Sequence, residues 1–172
     1  DASAAPGPLR RLYRSEISSR IDALRHKKCR RIWEIRDRMI NARADTLAEK
    51  PSFKHAYKRR RCLILADGFY EWKVDGKLKR PFVVRPVDRN PVMFAGLWET
   101  WIGPNGEEMD TAAIVTTEAN RTLHPIHHRM PVILEPEDFA PWLDCAQVDA
   151  LQAQALLKPA REDHMDAYEI SP

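Results

Sequence analysis

Three short stretches carry residue types able to do chemistry. In Phe69-Tyr70-Glu71-Trp72 the alternation is that of a strand, which puts Glu71 on the face opposite Tyr70 and Trp72. If that face is concave, the carboxylate stands beside apolar surface, a setting suited to proton transfer. The same spacing also fits a solvent-facing strand glutamate. In Leu123-His124-Pro125-Ile126-His127-His128-Arg129-Met130-Pro131 the two prolines predict a rigid turn rather than a helix. Such a turn can aim one imidazole into a cleft as acid or base. Three histidines so close raise a metal, but no second ligand cluster lies nearby in sequence, and a plain surface turn is the other reading. Asn41 and Arg43, if extended, share a face: an amide to orient a substrate and a guanidinium to hold a phosphate. A polar loop accounts for the pair equally well.

The cysteines offer less. Cys29, Cys62 and Cys145 form no CxxC, which argues against a disulfide framework and a zinc site and predicts a reducing cytoplasm. Cys62, followed by Leu63, Ile64 and Leu65, reads as a buried structural thiol. Cys29, among Lys and Arg, reads as the more reactive one.

The elements that must position these groups follow from pattern. A length of 172 residues predicts one domain, and 44% hydrophobic residues with five Trp suffice for a core. No apolar run is long enough for a membrane span, and no signal peptide is expected. Net charge is only +3, yet cations cluster at Arg10–Arg14, Arg25–Arg31 and Lys58–Arg61. Such runs attract polyanions, or are simply solvated helix faces.

Residues 1–15 read as a flexible arm and 16–38 as a helix. Asn41–Thr46 reads as a loop, with Ser52 capping a helix up to the basic run. Strands are predicted at 63–66, 69–74, 81–85, 92–101, 111–117 and 130–134, and a further one at 167–170. Asp75-Gly76 is a hairpin signal. Helices are predicted from Pro136 through Trp142 and over 148–157. Short turns between strands imply an α+β fold: a curved, mainly antiparallel, partly open barrel-like sheet with peripheral helices.

The stretches RMINARADTLAEKPSFKHAYKRRRCLILADGFYEWK, PFVVRP, PVMFAGLWETW, AAIVTTEAN and IHHRMPVIL together resemble the SRAP family, the SOS-response-associated peptidases or abasic-site processing proteins. The likeness is strongest over residues 38–134, inside a single domain taken as 16–172. It implies a protein that binds single-stranded DNA at abasic sites, cytoplasmic (nucleoid-associated in a bacterium) and monomeric, with no cofactor, metal or membrane partner. In the family an N-terminal cysteine closes a thiazolidine on the ring-opened sugar, giving a DNA–protein crosslink. The resemblance makes Asn41 the orienting amide, Glu71 the catalytic carboxylate, His127 the acid/base histidine, and Arg43 and Arg129 the phosphate contacts.

Three features depart from the family pattern. The Met-Cys-Gly-Arg opening is absent, His128 stands where Asp is common, and the chain ends at Ile170-Ser171-Pro172 before a usual Val-Asn segment. The expectation is therefore a chain that keeps the binding cleft without the crosslinking nucleophile. The competing expectations are a non-catalytic single-strand binding module, with Trp72, Trp98 and Trp101 stacking bases rather than filling the core, and an inactive relative.

Overall fold

The computed structural model describes residues 40–103 and 105–171. The arm expected at 1–15 and the helix expected at 16–38 lie outside the described residues. In chain order come β1 (Asn41–Arg43), a 3-10 turn (Ala44–Thr46), α1 (Pro51–Arg59), β2 (Arg61–Ala66), β3 (Phe69–Asp75), β4 (Leu78–Pro86) and β5 (Val92–Ile102). They are followed by β6 (Glu108–Glu118), β7 (Arg129–Pro131), β8 (Ile133–Leu134), α2 (Pro136–Leu143), α3 (Ala150–Gln154) and β9 (Met165–Glu169).

The strands form two sheets. A curled six-stranded sheet runs β1-β6-β5-β2, with β7 also on β6 and β8 also on β5; a three-stranded sheet runs β3-β4-β9. All pairings are antiparallel except β1 with β6, where Asn41 lies opposite Ile114 and Arg43 opposite Thr116.

Strand periodicity sorts the core into two layers. Ala42, Ala95, Leu97, Ala113 and Val115 face the helices and pack with Tyr57, Trp142, Ala153 and Leu157. Their alternates Ile64, Phe94 and Ile114 face the three-stranded sheet and pack with Phe69, Val84, Met165 and Ala167. Because β5 is covered on both sides it reads as an unbroken apolar run from Val92 to Trp98, as a sandwiched strand should.

Two glycines shape the entry and exit of β3. Gly76 (φ +60°) makes the tight β3–β4 hairpin that Asp75-Gly76 predicted. Gly68 (φ +152°) sits where the chain leaves the large sheet for the small one; a Cβ there would stand 2.3 Å from the Val84 carbonyl oxygen. A side chain at 68 would push β3 away from β4.

Four local expectations are corrected. Asn41–Arg43 is a strand, not a loop; only Ala42 of the three enters the core, so no apolar alternation marked it. Helix α1 opens at Pro51, with Lys50 and not Ser52 at the N-cap position and no side-chain cap, because proline's fixed φ and missing N–H suit the first helical position. The single strand expected at 130–134 is two: Val132 donates its N–H to Val115 O and accepts from Ala95 N, each at 2.9 Å, stepping the chain from β6 to β5. The helix expected over 148–157 shortens to Ala150–Gln154, opened by a reciprocal Asp149–Gln152 cap.

The core reading of Trp72, Trp98 and Trp101 fails for Trp72 and Trp98, which are 47% and 42% exposed, while Trp101 is half-buried. Trp142 is fully buried and donates Nε1–H to the Cys62 carbonyl at 2.8 Å. Cys62 is half-buried in its strand, and burial pushes its thiol up. Among the described residues no helix is long and apolar enough to cross a membrane.

Candidate active site

Glu71 sits on β3, an edge strand, with Phe69 and Lys73 on its side and the exposed Tyr70, Trp72 and Val74 on the other. Phe69 belongs to the core between the sheets, so Glu71 looks the same way, toward the six-stranded sheet. One carboxylate oxygen accepts the Trp72 backbone N–H at 3.0 Å. The other lies 3.6 Å from Nδ1 of His127, in Coulomb reach but longer than a hydrogen bond.

His127 arrives from the opposite sheet on a pinned turn. Asn120, almost fully buried at the end of β6, is the pin. Its amide donates to the Ala160 and Arg161 carbonyls at 3.1 and 3.2 Å, and its side-chain oxygen accepts from Leu123 N at 3.1 Å. Glu162 holds the turn from outside by accepting the Arg121 and Thr122 N–H groups. The His127 Nδ1 itself lies 3.2 Å from both the N–H and the carbonyl oxygen of Arg129. It can thus accept from the N–H when bare, and donate to the carbonyl or face Glu71 when protonated. His124 and His128 point to solvent; the ring of His128 lies against that of His127 with centroids 4.4 Å apart. Of the three histidines only His127 meets a carboxylate. Among the described residues no group of three or more His, Cys, Asp or Glu is placed to hold a metal ion.

The two arginines meet at a residue that motif reading passed over. Asp45 accepts from Arg43 Nε at 3.1 Å and Nη2 at 2.7 Å, and its Oδ1 lies 3.6 Å from Nη2 of Arg129. Arg129 also donates from Nη2 to the Thr116 carbonyl at 2.5 Å. The hydrogen bond from Arg43 holds the Asp45 carboxyl below its usual range, with the Arg129 charge adding to it. Burial makes Arg129 less basic than usual, partly offset by Asp45. The signal that could have exposed Asp45 is the Arg-x-Asp spacing at the end of a strand.

Asn41 and Arg43 are exposed on one face of β1, the face that Ile114 and Thr116 share. Ile114 packs into the core between the sheets, so Asn41 and Arg43 open to the side from which Glu71 and His127 approach. The structure therefore couples Glu71 with His127, and Arg43 with Arg129, and puts Asn41 on the same face as Arg43. A proton-transfer pair beside two cations suits an anionic substrate with an exchangeable proton.

Residues 23–172 match the profile of the family described as SOS response associated peptidase, SRAP. The chain belongs to the SRAP family. Among curated SRAP relatives, the abasic site processing protein YoqW of Bacillus subtilis is 46% identical over 135 residues, covering 78% of this chain and 60% of that one. The abasic site processing protein HMCES of Gallus gallus is 35% identical over 141 residues, covering 70% of this chain and 42% of that one. A solved structure of a Bacteroides thetaiotaomicron protein superposes with a TM-score of 0.75 at 37% identity, over 80% of this chain and 61% of that one. This SRAP chain thus spans between 42% and 61% of the length of these relatives.

Proposed function

We propose that this chain is an abasic-site processing protein that takes single-stranded DNA into the cleft between its two sheets. Arg43 and Arg129 hold the backbone phosphate, Asn41 orients the lesion, and Glu71 with His127 acts on the bare deoxyribose. The observation that carries this is the Glu71–His127 approach at 3.6 Å, made between a residue of β3 and one of the turn that leads into β7 of the other sheet. An abasic sugar rests mostly as a closed ring. To open it, one member of the pair takes the proton of the anomeric hydroxyl as C1=O forms; the other protonates the ring oxygen as its bond to C1 breaks. The aldehyde so released is what the family's N-terminal amine and thiol would trap as a thiazolidine.

The test is a single-stranded oligonucleotide with one abasic site. We expect binding that weakens steeply as salt rises. Capture of the opened aldehyde by an added hydroxylamine reagent should run faster with the protein. Glu71→Gln and His127→Ala should each slow that capture by about 10²-fold while binding stays within about twofold. Capture rates equal to wild type in both variants would overturn the assignment.

The half-exposed Trp72 and Trp98 favour a second reading, a single-strand binding module without chemistry. Binding that ignores the lesion, with no acceleration of capture, would select it.

A further inference from the structure

We infer that Asp45 is a positioning residue: its carboxylate gathers Arg43 and Arg129, from two different strands, into one cationic fork for a nucleic-acid phosphodiester. The inference rests on the reading above that these arginines hold phosphate.

Asp45 stands on fixed ground. It lies in the 3-10 turn directly after β1, between Ala44 and Leu47, both buried in the core. The Ala44 carbonyl accepts from Gln154 Nε2 at 3.2 Å, and the Gln154 side-chain oxygen lies 3.3 Å from the Tyr57 hydroxyl. The backbone that carries the carboxylate is thus held by the helix layer.

From that position it engages Arg43 through one edge of the guanidinium, Nε and Nη2, leaving Nη1 for another acceptor. Its Oδ1 also attracts Arg129, whose Nε is buried without a protein partner. Two guanidiniums brought together with no anion between them would repel. The shared carboxylate offsets that repulsion before any ligand arrives. Stability alone does not explain the arrangement, since Arg43 and Asp45 are 59% and 50% exposed, and exposed pairs contribute little to folding.

The sign of one measurement separates positioning from bulk charge. Removing a carboxylate adds a positive charge, which by itself tightens DNA binding. If Asp45 positions the fork, its loss weakens binding instead. The experiment is anisotropy titration of a single-stranded oligonucleotide carrying one tetrahydrofuran abasic analogue, with wild type, Arg43→Ala, Asp45→Asn, Asp45→Ala and the double variant Arg43→Ala/Asp45→Asn. We expect Asp45→Asn and Asp45→Ala each to raise Kd about three- to fivefold at an unchanged thermal midpoint. In the Arg43→Ala background Asp45→Asn should weaken binding by clearly less than it does in wild type, a coupling that a merely structural role would not produce. Equal or tighter binding by Asp45→Asn, beside weakened binding by Arg43→Ala, overturns the role of Asp45 and leaves the phosphate reading standing. Unchanged binding by Arg43→Ala overturns both.

Discussion

Two arginine sites on the six-stranded sheet, Arg61 alone and Arg43 with Arg129, use the same side chain to opposite ends. Arg61, the first residue of β2, is 4% exposed. Its Nη2 donates to the Asp144 and Val148 carbonyls at 2.8 and 2.7 Å, and its guanidinium lies over the Trp142 ring, 5.5 Å from the centroid. It ties the loop between α2 and α3 to the sheet. Arg43 and Arg129 instead converge on one carboxylate at the β1–β7 edge, with Arg43 open to solvent. Arg61 is buried and spends Nη2 on two loop carbonyls, so it holds the fold. Arg43 is exposed and meets Asp45 through one guanidinium edge, which leaves Nη1 open, while Arg129 stands between the two, bonded to the Thr116 carbonyl as well as facing Asp45. Net charge cannot tell these apart, and the run Lys58–Arg61 contains the structural kind at its end.

The comparison can be broken or sharpened in order of size. Trp142→Ala removes the ring beneath Arg61 and the anchor of α2, and should cost about 3–5 kcal/mol of stability, read by urea unfolding. A loss under about 1 kcal/mol would show that the helix layer is held elsewhere. Next, Arg61→Met should cost about 2–3 kcal/mol, since it strands two carbonyls, while leaving DNA affinity within about twofold. Arg43→Ala should do the reverse, with stability within about 0.5 kcal/mol and the salt slope of single-strand binding shallower by about 0.7. If Arg61→Met weakened DNA binding more than Arg43→Ala at equal folding, the distinction between the two sites would be wrong.

The smallest effect is at alkaline pH. Burial pushes the Tyr57 phenol from 10 up to about 12, outweighing the Arg61 charge that favours its anion. Because the folded value is the higher one, this contribution is whole below pH 10 and is lost as pH rises toward 12. Unfolding free energy should fall by roughly 1 kcal/mol between pH 8 and pH 11 on this account, and Tyr57→Phe should flatten that limb. An unchanged limb in the variant would place the loss in other groups.

What could be read from the sequence was whatever is local. Asp75-Gly76 named its own hairpin, and Pro136 its helix start. The strands β2 to β6 showed because consecutive residues alternate or run apolar. Non-local features stayed hidden. β1 is three residues whose partner strand comes much later in the chain. β7 and β8 look continuous until Val132 is seen bonding to two different strands. The separate candidacies of Glu71 and His127 were legible from a strand pattern and a proline-bounded turn. Their meeting was not, since it depends on two sheets closing on each other and on Asn120 pinning the turn. Family likeness supplied that pairing in advance. Asp45 escaped because motif reading credits residues that touch substrate and overlooks those that hold them.

The parallel seam between β1 and β6 also bears on biosynthesis. Asn41 finds its backbone partner only when Ile114 has left the ribosome. Loop closure over so long a span is entropically slow and comes late. A nascent or truncated product lacking β6 cannot fasten the amide and its neighbouring arginine in place. This half of the candidate site therefore forms only in molecules whose synthesis has passed that strand.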